Sequence, residues 1–447
     1  MARERDFTRG SIPRHLVVLY GPLLAASIFQ QLYTVADALL IGYCVGAEAF
    51  AAVGIAQTLG NLLVFLLIGL ASGPAVVVGH ELGGRRPQKA RQAAGAAVTA
   101  GLGASAAIAL AGTAAARPVL ELLQTPAPLM DDALLYVLWT TASLPAVYVA
   151  NLLAGFLRAA GNASVPFAAL TVAALANVGL DALFMGRCGF GVEGAAAATL
   201  LAQVLVALIC GCCLQRRAST LRLSRADLVP RRGEVMAMAR LSSAASLQAA
   251  SLYVGKILVQ GVVNGLGTGA IIAYAAVLRV EGLAQAAGEA GQAAGVALIS
   301  QNHGAREGVR ILASFRWLLG AMTVAAVGIG AAMFVFAEPL VALFAAGDAR
   351  ALAEGVPYLR IIAFAYVLCL GGNAWVACFQ GTGHFAPPLV ATTLQIYVRV
   401  ALALWWAPPL GLAGVAWATV AGWALLYVVF FAGAVSCHPW KQPTVIS

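Results

Sequence analysis

Gly155-Phe-Leu-Arg-Ala-Ala-Gly-Asn-Ala-Ser-Val-Pro166 has a near-copy in Ala377-Cys-Phe-Gln-Gly-Thr-Gly-His-Phe-Ala-Pro-Pro388, half of the 447-residue chain later. Two further pairs repeat at almost the same shift. Arg117-Pro-Val-Leu-Glu-Leu-Leu123 matches Glu338-Pro-Leu-Val-Ala-Leu-Phe344, and Gly191-Val-Glu-Gly194 matches Gly411-Leu-Ala-Gly414. A period this long is far beyond a solenoid unit. The chain therefore reads as a duplicated half-protein, an architecture that in membranes points to transport between the halves.

Composition identifies the solvent. The chain is 61% hydrophobic and only 10% charged, against about 25% charged in soluble domains. Twelve apolar runs are long enough to cross a bilayer as helices, at 15–42, 50–79, 91–116, 132–157, 164–186, 193–214, 236–263, 268–300, 312–337, 354–381, 386–407 and 411–435. The expectation is an all-α integral membrane protein with six spans per half. An even number returns the second half to the same side, so the repeat is parallel. The expected division is an N-terminal six-helix bundle at 1–215, a cytoplasmic linker at 216–234 and a C-terminal six-helix bundle at 235–447.

Lys and Arg collect on one side of these spans: Arg3, Arg5, Arg9 and Arg14; Arg85, Arg86, Lys89 and Arg91; then Arg216 through Arg240, Arg306, Arg310, Arg316 and Lys441. By the positive-inside rule both termini are expected to be cytoplasmic. The net charge of +9 is then explained by topology and anionic lipid, without nucleic acid. A multi-pass protein of the plasma membrane is expected, the inner membrane if the source is Gram-negative. Its partners would be the bilayer and an amphipathic small molecule, and the duplicated halves are consistent with a functional monomer.

Eight cysteines lie mostly in or at the ends of apolar spans, without C-x-x-C or metal-ligand spacing, and read as packing residues. No convergent His, Asp or Cys constellation suggests catalysis, so neither an enzyme nor a cofactor other than a coupling ion is expected.

Function should concentrate where charge enters a span, since an ionisable group near the bilayer centre costs about 2.5 to 3.5 kcal/mol even on the lenient scale. The first half holds two such acids. Asp37 lies late in the first span, and Asp181 lies one helical turn after Asn177, on the same face. Thr199 and Gln203, four apart on the sixth span, form a second polar face. Together they would form an oxygen-lined pocket for a proton or a hard cation. The alternative is that Asn177 and Asp181 merely brace a helix near the interface. In the second half Lys256, Arg279, Glu281, Glu289 and Arg399 enter spans, most simply through local pairing of Glu281 with Arg279 or Lys256. Gln31, Tyr33, Gln203, Tyr253, Lys256, Arg279, Glu281, Trp375 and Arg399 are candidates for contact with substrate.

The Gln30-Gln-Leu-Tyr-x-x-x-Asp37-x-x-x-x-Gly42 pattern, the Gly155-x-x-Arg-Ala-x-Gly-Asn162 turn, Asn177-Val-Gly-Leu-Asp181 and Gly191-Val-Glu-Gly-Ala-Ala-Ala-Ala-Thr199 resemble the multidrug and toxic compound extrusion (MATE) transporters over nearly the whole chain. The resemblance implies a V-shaped pair of six-helix bundles that open alternately inward and outward. It also implies export of amphipathic, often cationic compounds against an inward flow of H+ or Na+. The prokaryotic cation site carries over to Asp37, Asn177, Asp181 and Thr199, which would ligate the metal if the ion is Na+. Some relatives place an acid in the seventh span, where this chain has Lys256. That departure keeps open a flippase for a lipid-linked or anionic amphipathic substrate.

Overall fold

A computed structural model describes residues 5–217, 219–345 and 348–441; Arg3, counted above among the basic residues, lies outside them. The long helices are α1 (Ile12–Cys44), α2 (Ala47–Gly83), α3 (Pro87–Leu122), α4 (Ala127–Ala159), α5 (Ser164–Phe184), α6 (Val192–Arg217), α7 (Arg232–Asn264), α8 (Thr268–Gly304), α9 (Gly308–Val335), α11 (Ala349–Gly381), α12 (Ala386–Leu410) and α13 (Leu412–Cys437). The six-residue α10 (Ala337–Ala342) precedes α11. Twelve stretches among the described residues are long and apolar enough to span a membrane, as the hydropathy pattern predicts. Several helices run a few residues past the expected spans, because an apolar run marks only the hydrocarbon segment while the helix continues into the polar interface.

The repeated motif that opens the sequence is a helix terminus. At the end of α4, Gly161 takes φ +82, its amide donates to the Arg158 carbonyl at 2.9 Å, and the Asn162 amide donates to the Leu157 carbonyl at 2.8 Å. At the end of α11, Gly383 takes φ +81, with His384 donating to the Phe379 carbonyl at 2.8 Å. Glycine reaches this left-handed conformation without a Cβ penalty, and the paired bonds satisfy the last carbonyls of each helix. The repeat is thus visible as backbone geometry. Arg85 and Arg306, after α2 and α8, share a positive φ of 56° and 60°.

The helices form two compact units. One comprises Gly21–Ala250 with the stretch ending at Arg9; the other comprises Gly10–Tyr20 with Ser251 onward. In the first, α4 packs on α2, α3 and α6; in the second, its repeat partner α11 packs on α8, α9 and α13. The division falls inside α7, whereas the expected boundary was the polar segment at 216–234. The reason is visible in the first half of α7. Ser242 and Ser246 donate to the Leu70 and Leu66 carbonyls of α2 at 2.8 and 2.7 Å, and a Cβ on Gly73 would come within 2.6 Å of Ser242 Oγ. Small residues permit this approach and hydroxyls bridge it, the usual basis of helix association in lipid.

The segment expected as a linker is docked. It forms 3-10 turns at Ser219–Leu221 and Arg225–Leu228, the second closed by a capping box between Ser224 and Asp227. The Leu228 carbonyl accepts from Thr99 Oγ1 of α3 at 2.7 Å, and Gly95 makes room for the Asp227 backbone. The Ser224 hydroxyl and amide hold the Asp227 carboxyl below its ordinary range.

Candidate functional site

Within the first unit, α1 and α5 bring Asp37 and Asp181 face to face inside the protein. Asp37 is 8% exposed, Asn177 1% and Asp181 0%. The two carboxyl groups face each other without meeting hydrogen-bond geometry. Among the described residues, both Asp181 oxygens, Asp37 Oδ1 and both Asn177 amide atoms are buried with no hydrogen-bond partner. Burying polar atoms unpaired is costly, and five such atoms lie in one place. Oxygens of two carboxylates and one carboxamide suit a proton or a hard monovalent cation.

Two residues that the sequence reading did not single out belong to the same place. Tyr136 of α4 lies, like Tyr33 of α1, within electrostatic reach of both carboxyl groups, and Gln57 of α2 lies beside Tyr136. One signal could have found Tyr136: at the repeat shift it coincides with another tyrosine, Tyr358. Thr199 is half-buried on α6, next to α5, but does not reach Asp181, whose oxygens have no partner. Gln203 and Gln31 are half-buried.

The second unit treats its candidates differently. Glu281 of α8 is 5% exposed, and the cation with the greatest effect on it is Arg399 of α12, followed by Lys256 of α7. The expected Arg279–Glu281 pair does not form. Residues two apart on a helix point to different sides, and Arg279 is exposed, with its guanidinium 5.5 Å from the Phe344 ring centre. Tyr253 is half-buried and Lys256 exposed. Trp375, expected to touch substrate, is 4% exposed. It is enclosed by Phe315 at 4.6 Å between ring centres, Phe431 at 5.3 Å, Phe379 at 6.0 Å and Phe430 at 6.1 Å. Packing in the unit's core leaves it no open face.

Comparison with known proteins agrees with this fold. The MatE family model matches residues 22–183 and again 244–405, reproducing the internal repeat. The probable multidrug resistance protein YoeA of Bacillus subtilis is 24% identical over 405 residues, covering 87% of this chain and 86% of the relative. An FAD transporter of Shewanella oneidensis is 24% identical, covering 75% and 74%. Among solved structures, an outward-facing multidrug resistance MATE family transporter of the MOP superfamily superposes with a TM-score of 0.89 at 22% identity over 98% of both chains. A MOP superfamily transporter from Pyrococcus furiosus, described by the reverse polarity of its binding pocket, superposes at 0.88 with 22% identity over 98% of both chains.

Proposed function

The chain belongs to the MatE family, and from that premise we propose that it is a secondary antiporter that exports amphipathic, cationic small molecules in exchange for H+ or Na+ by alternating access. The observation that carries this reading is the buried pair Asp37–Asp181, with Asp37 Oδ1 and both Asp181 oxygens unpartnered and no basic side chain acting on either acid among the described residues. A pocket of this kind is most stable when one carboxyl takes a proton or the pair shares a metal cation. With the pocket open to the outside, loading it releases substrate; with the pocket open to the cytoplasm, unloading it readies the protein for the next substrate. Asn177 and Thr199 complete the proposed cation site, Thr199 only after a side-chain or helix shift.

A charge moved across the full membrane potential supplies about 2.3 kcal/mol per 100 mV. At about 1.4 kcal/mol per tenfold, one cation per cycle at about 100 mV sustains roughly a fifty-fold gradient of an uncharged substrate; exchange for a monovalent cationic substrate is electroneutral and is driven by the ion's own concentration gradient. The test is efflux of a fluorescent cationic dye from everted vesicles under imposed pH or Na+ gradients, for the parent, Asp37→Asn and Asp181→Asn. Gradient-driven efflux is expected in the parent and lost in both variants. Undiminished efflux in either variant would overturn the assignment.

A second reading rests on the exposed Lys256 and Arg279 of the second unit and on the relative that is an FAD transporter. A phosphate-bearing or lipid-linked anionic amphiphile would be drawn to these cations. Competition of dye efflux by an anionic rather than a cationic amphiphile would favour it.

A further inference from the structure

We propose that the second unit contains the duplicate of the acid pocket with its cation built into the chain: Arg399 occupies the place of a coupling ion and keeps Glu281 from binding one. The proposal goes beyond the transport reading and rests on it for the coupling ion of the first unit, while every group it uses lies in the second.

The correspondence follows from the helix starts. α4 and α11 begin at 127 and 349, α5 and α12 at 164 and 386, α6 and α13 at 192 and 412, and α1 and α7 at 12 and 232. Carried along these pairs, Tyr136 falls on Tyr358, Thr199 on Thr419 and Tyr33 on Tyr253, so the neutral frame of the pocket is kept. The charged positions are not. Asp181 falls on Ala403, Asp37 on Ile257 and Asn177 on Arg399. The second copy has lost both acids, gained a guanidinium where the first has a carboxamide, and drawn a single buried carboxylate, Glu281, from α8.

Groups acting on Glu281 or on its neighbours come from several packed helices. Lys256 comes from α7 and Arg399 from α12. α11 supplies Tyr358, Cys369 and Tyr366, whose hydroxyl donates to the Glu281 carbonyl at 3.3 Å. α8 itself supplies Tyr274, edge-on to Tyr358 at 5.8 Å, and Glu289, which also feels Lys256. Thr419 of α13 sits beside Tyr358; α9 packs Leu318 and Met322 against α8 at Gly295 and Gly291, and farther along Arg310 Nε donates to Asn302 Oδ1 at 3.1 Å. Among the described residues, Glu281 Oε1, the Tyr358 hydroxyl and Arg399 Nε are buried without a hydrogen-bond partner and Glu281 stands in none of the ion pairs, so Arg399 and Lys256 act on it across the pocket rather than through a closed ion pair. In a low-dielectric interior such compensation is strong at several ångströms. A buried carboxylate with a tethered guanidinium has no need of a mobile cation; remove the guanidinium and it takes one.

The test counts protons taken up by the purified full-length protein between about pH 8 and about pH 5, the window in which a buried carboxylate titrates. In the parent, Glu281→Gln is expected to leave the count unchanged; loss of one proton would overturn the proposal, and this arm stands even if arginine variants fail to fold. In a background of Asp37→Asn and Asp181→Asn, Arg399→Gln is expected to add one proton per molecule. Glu281→Gln then removes it, and Arg399→Lys adds none. A folded Arg399→Gln protein with no proton dependent on Glu281 would also overturn it. Failure of the transport reading would appear separately, as an unchanged count when Asp37 and Asp181 are replaced in the parent.

Discussion

The two units share a backbone plan and differ in how they fill it. In the first, the face between α1, α4 and α5 encloses Asp37, Asn177 and Asp181, and no cation among the described residues acts on the acids. In the second, the corresponding face holds Glu281 with Arg399 and Lys256. Their cores diverge as well. Phe315, Trp375, Phe379, Phe430 and Phe431 pack ring to ring in the second unit, while the repeat places Ala94, Leu153, Leu157, Cys210 and Gly211 at those positions in the first. Duplication has preserved the tyrosine and threonine frame and the helix-ending turns, and has let charge and core volume specialise. One unit is left with unsatisfied acids, the other with compensated charge and a rigid aromatic core.

The largest effect expected from breaking this contrast is Asn177→Arg, which gives the first unit the residue of the second. Under the proposed function, a guanidinium beside Asp181 replaces the cation that the pocket would take from solution. Gradient-driven efflux should be lost along with one titratable proton, while the thermal transition in detergent stays near that of the parent. Retained coupled efflux would show that the acids do not work by binding a mobile cation.

Trp375→Ala tests the core side of the comparison. Emptying an aromatic site costs about 3 to 5 kcal/mol, and the loss should appear as a lower melting temperature with proton uptake by the first unit unchanged. Gly101→Val is a smaller perturbation in the first unit. Gly101 abuts the Tyr148 ring, whose hydroxyl donates to the Ala97 carbonyl at 2.9 Å, and overpacking there should cost about 1 to 3 kcal/mol. Gly371 abuts Tyr427 in the second unit in the same way, so Gly371→Val should give a comparable melting shift if both units approach by the same device.

The smallest effect lies in the docked connection at 219–231. Because the Asp227 carboxyl is held below its ordinary range in the folded protein, its contribution is present above the usual aspartate range and disappears as pH falls through the lowered value. Ser224→Ala should move that loss to higher pH. Hydrogen exchange of the 3-10 turn, followed from about pH 6 to about pH 3, checks the direction; an unchanged profile would show that the capping box does not hold the segment.

Most of the fold is legible in the sequence because bilayer helices announce themselves as long apolar runs and a duplicated turn announces the repeat. Glu281 and Arg399 show where that legibility ends. They are 118 positions apart, and nothing local connects them, whereas Arg279 stands two residues from Glu281 and invites a pairing that helix geometry forbids. Trp375 misleads in another way, since an aromatic residue in a span looks the same whether it lines a cavity or fills a core. Asp37, Asn177 and Asp181 were legible because buried acids are rare enough in lipid to stand out alone. Tyr136 needed the alignment of the two halves to become visible.

The first half of α7 holds α2 through Ser242 and Ser246, although it lies beyond the polar connection. For protein engineering this means that the obvious place to divide the gene is the wrong one. Cutting at 218–231 would put the bridging serines on one polypeptide and the carbonyls that receive them on the other, leaving the amino-terminal fragment with an open groove along α2. A split reporter or two-gene version would keep that groove covered, with α7 whole, if the cut fell in the turn between Asn264 and Thr268.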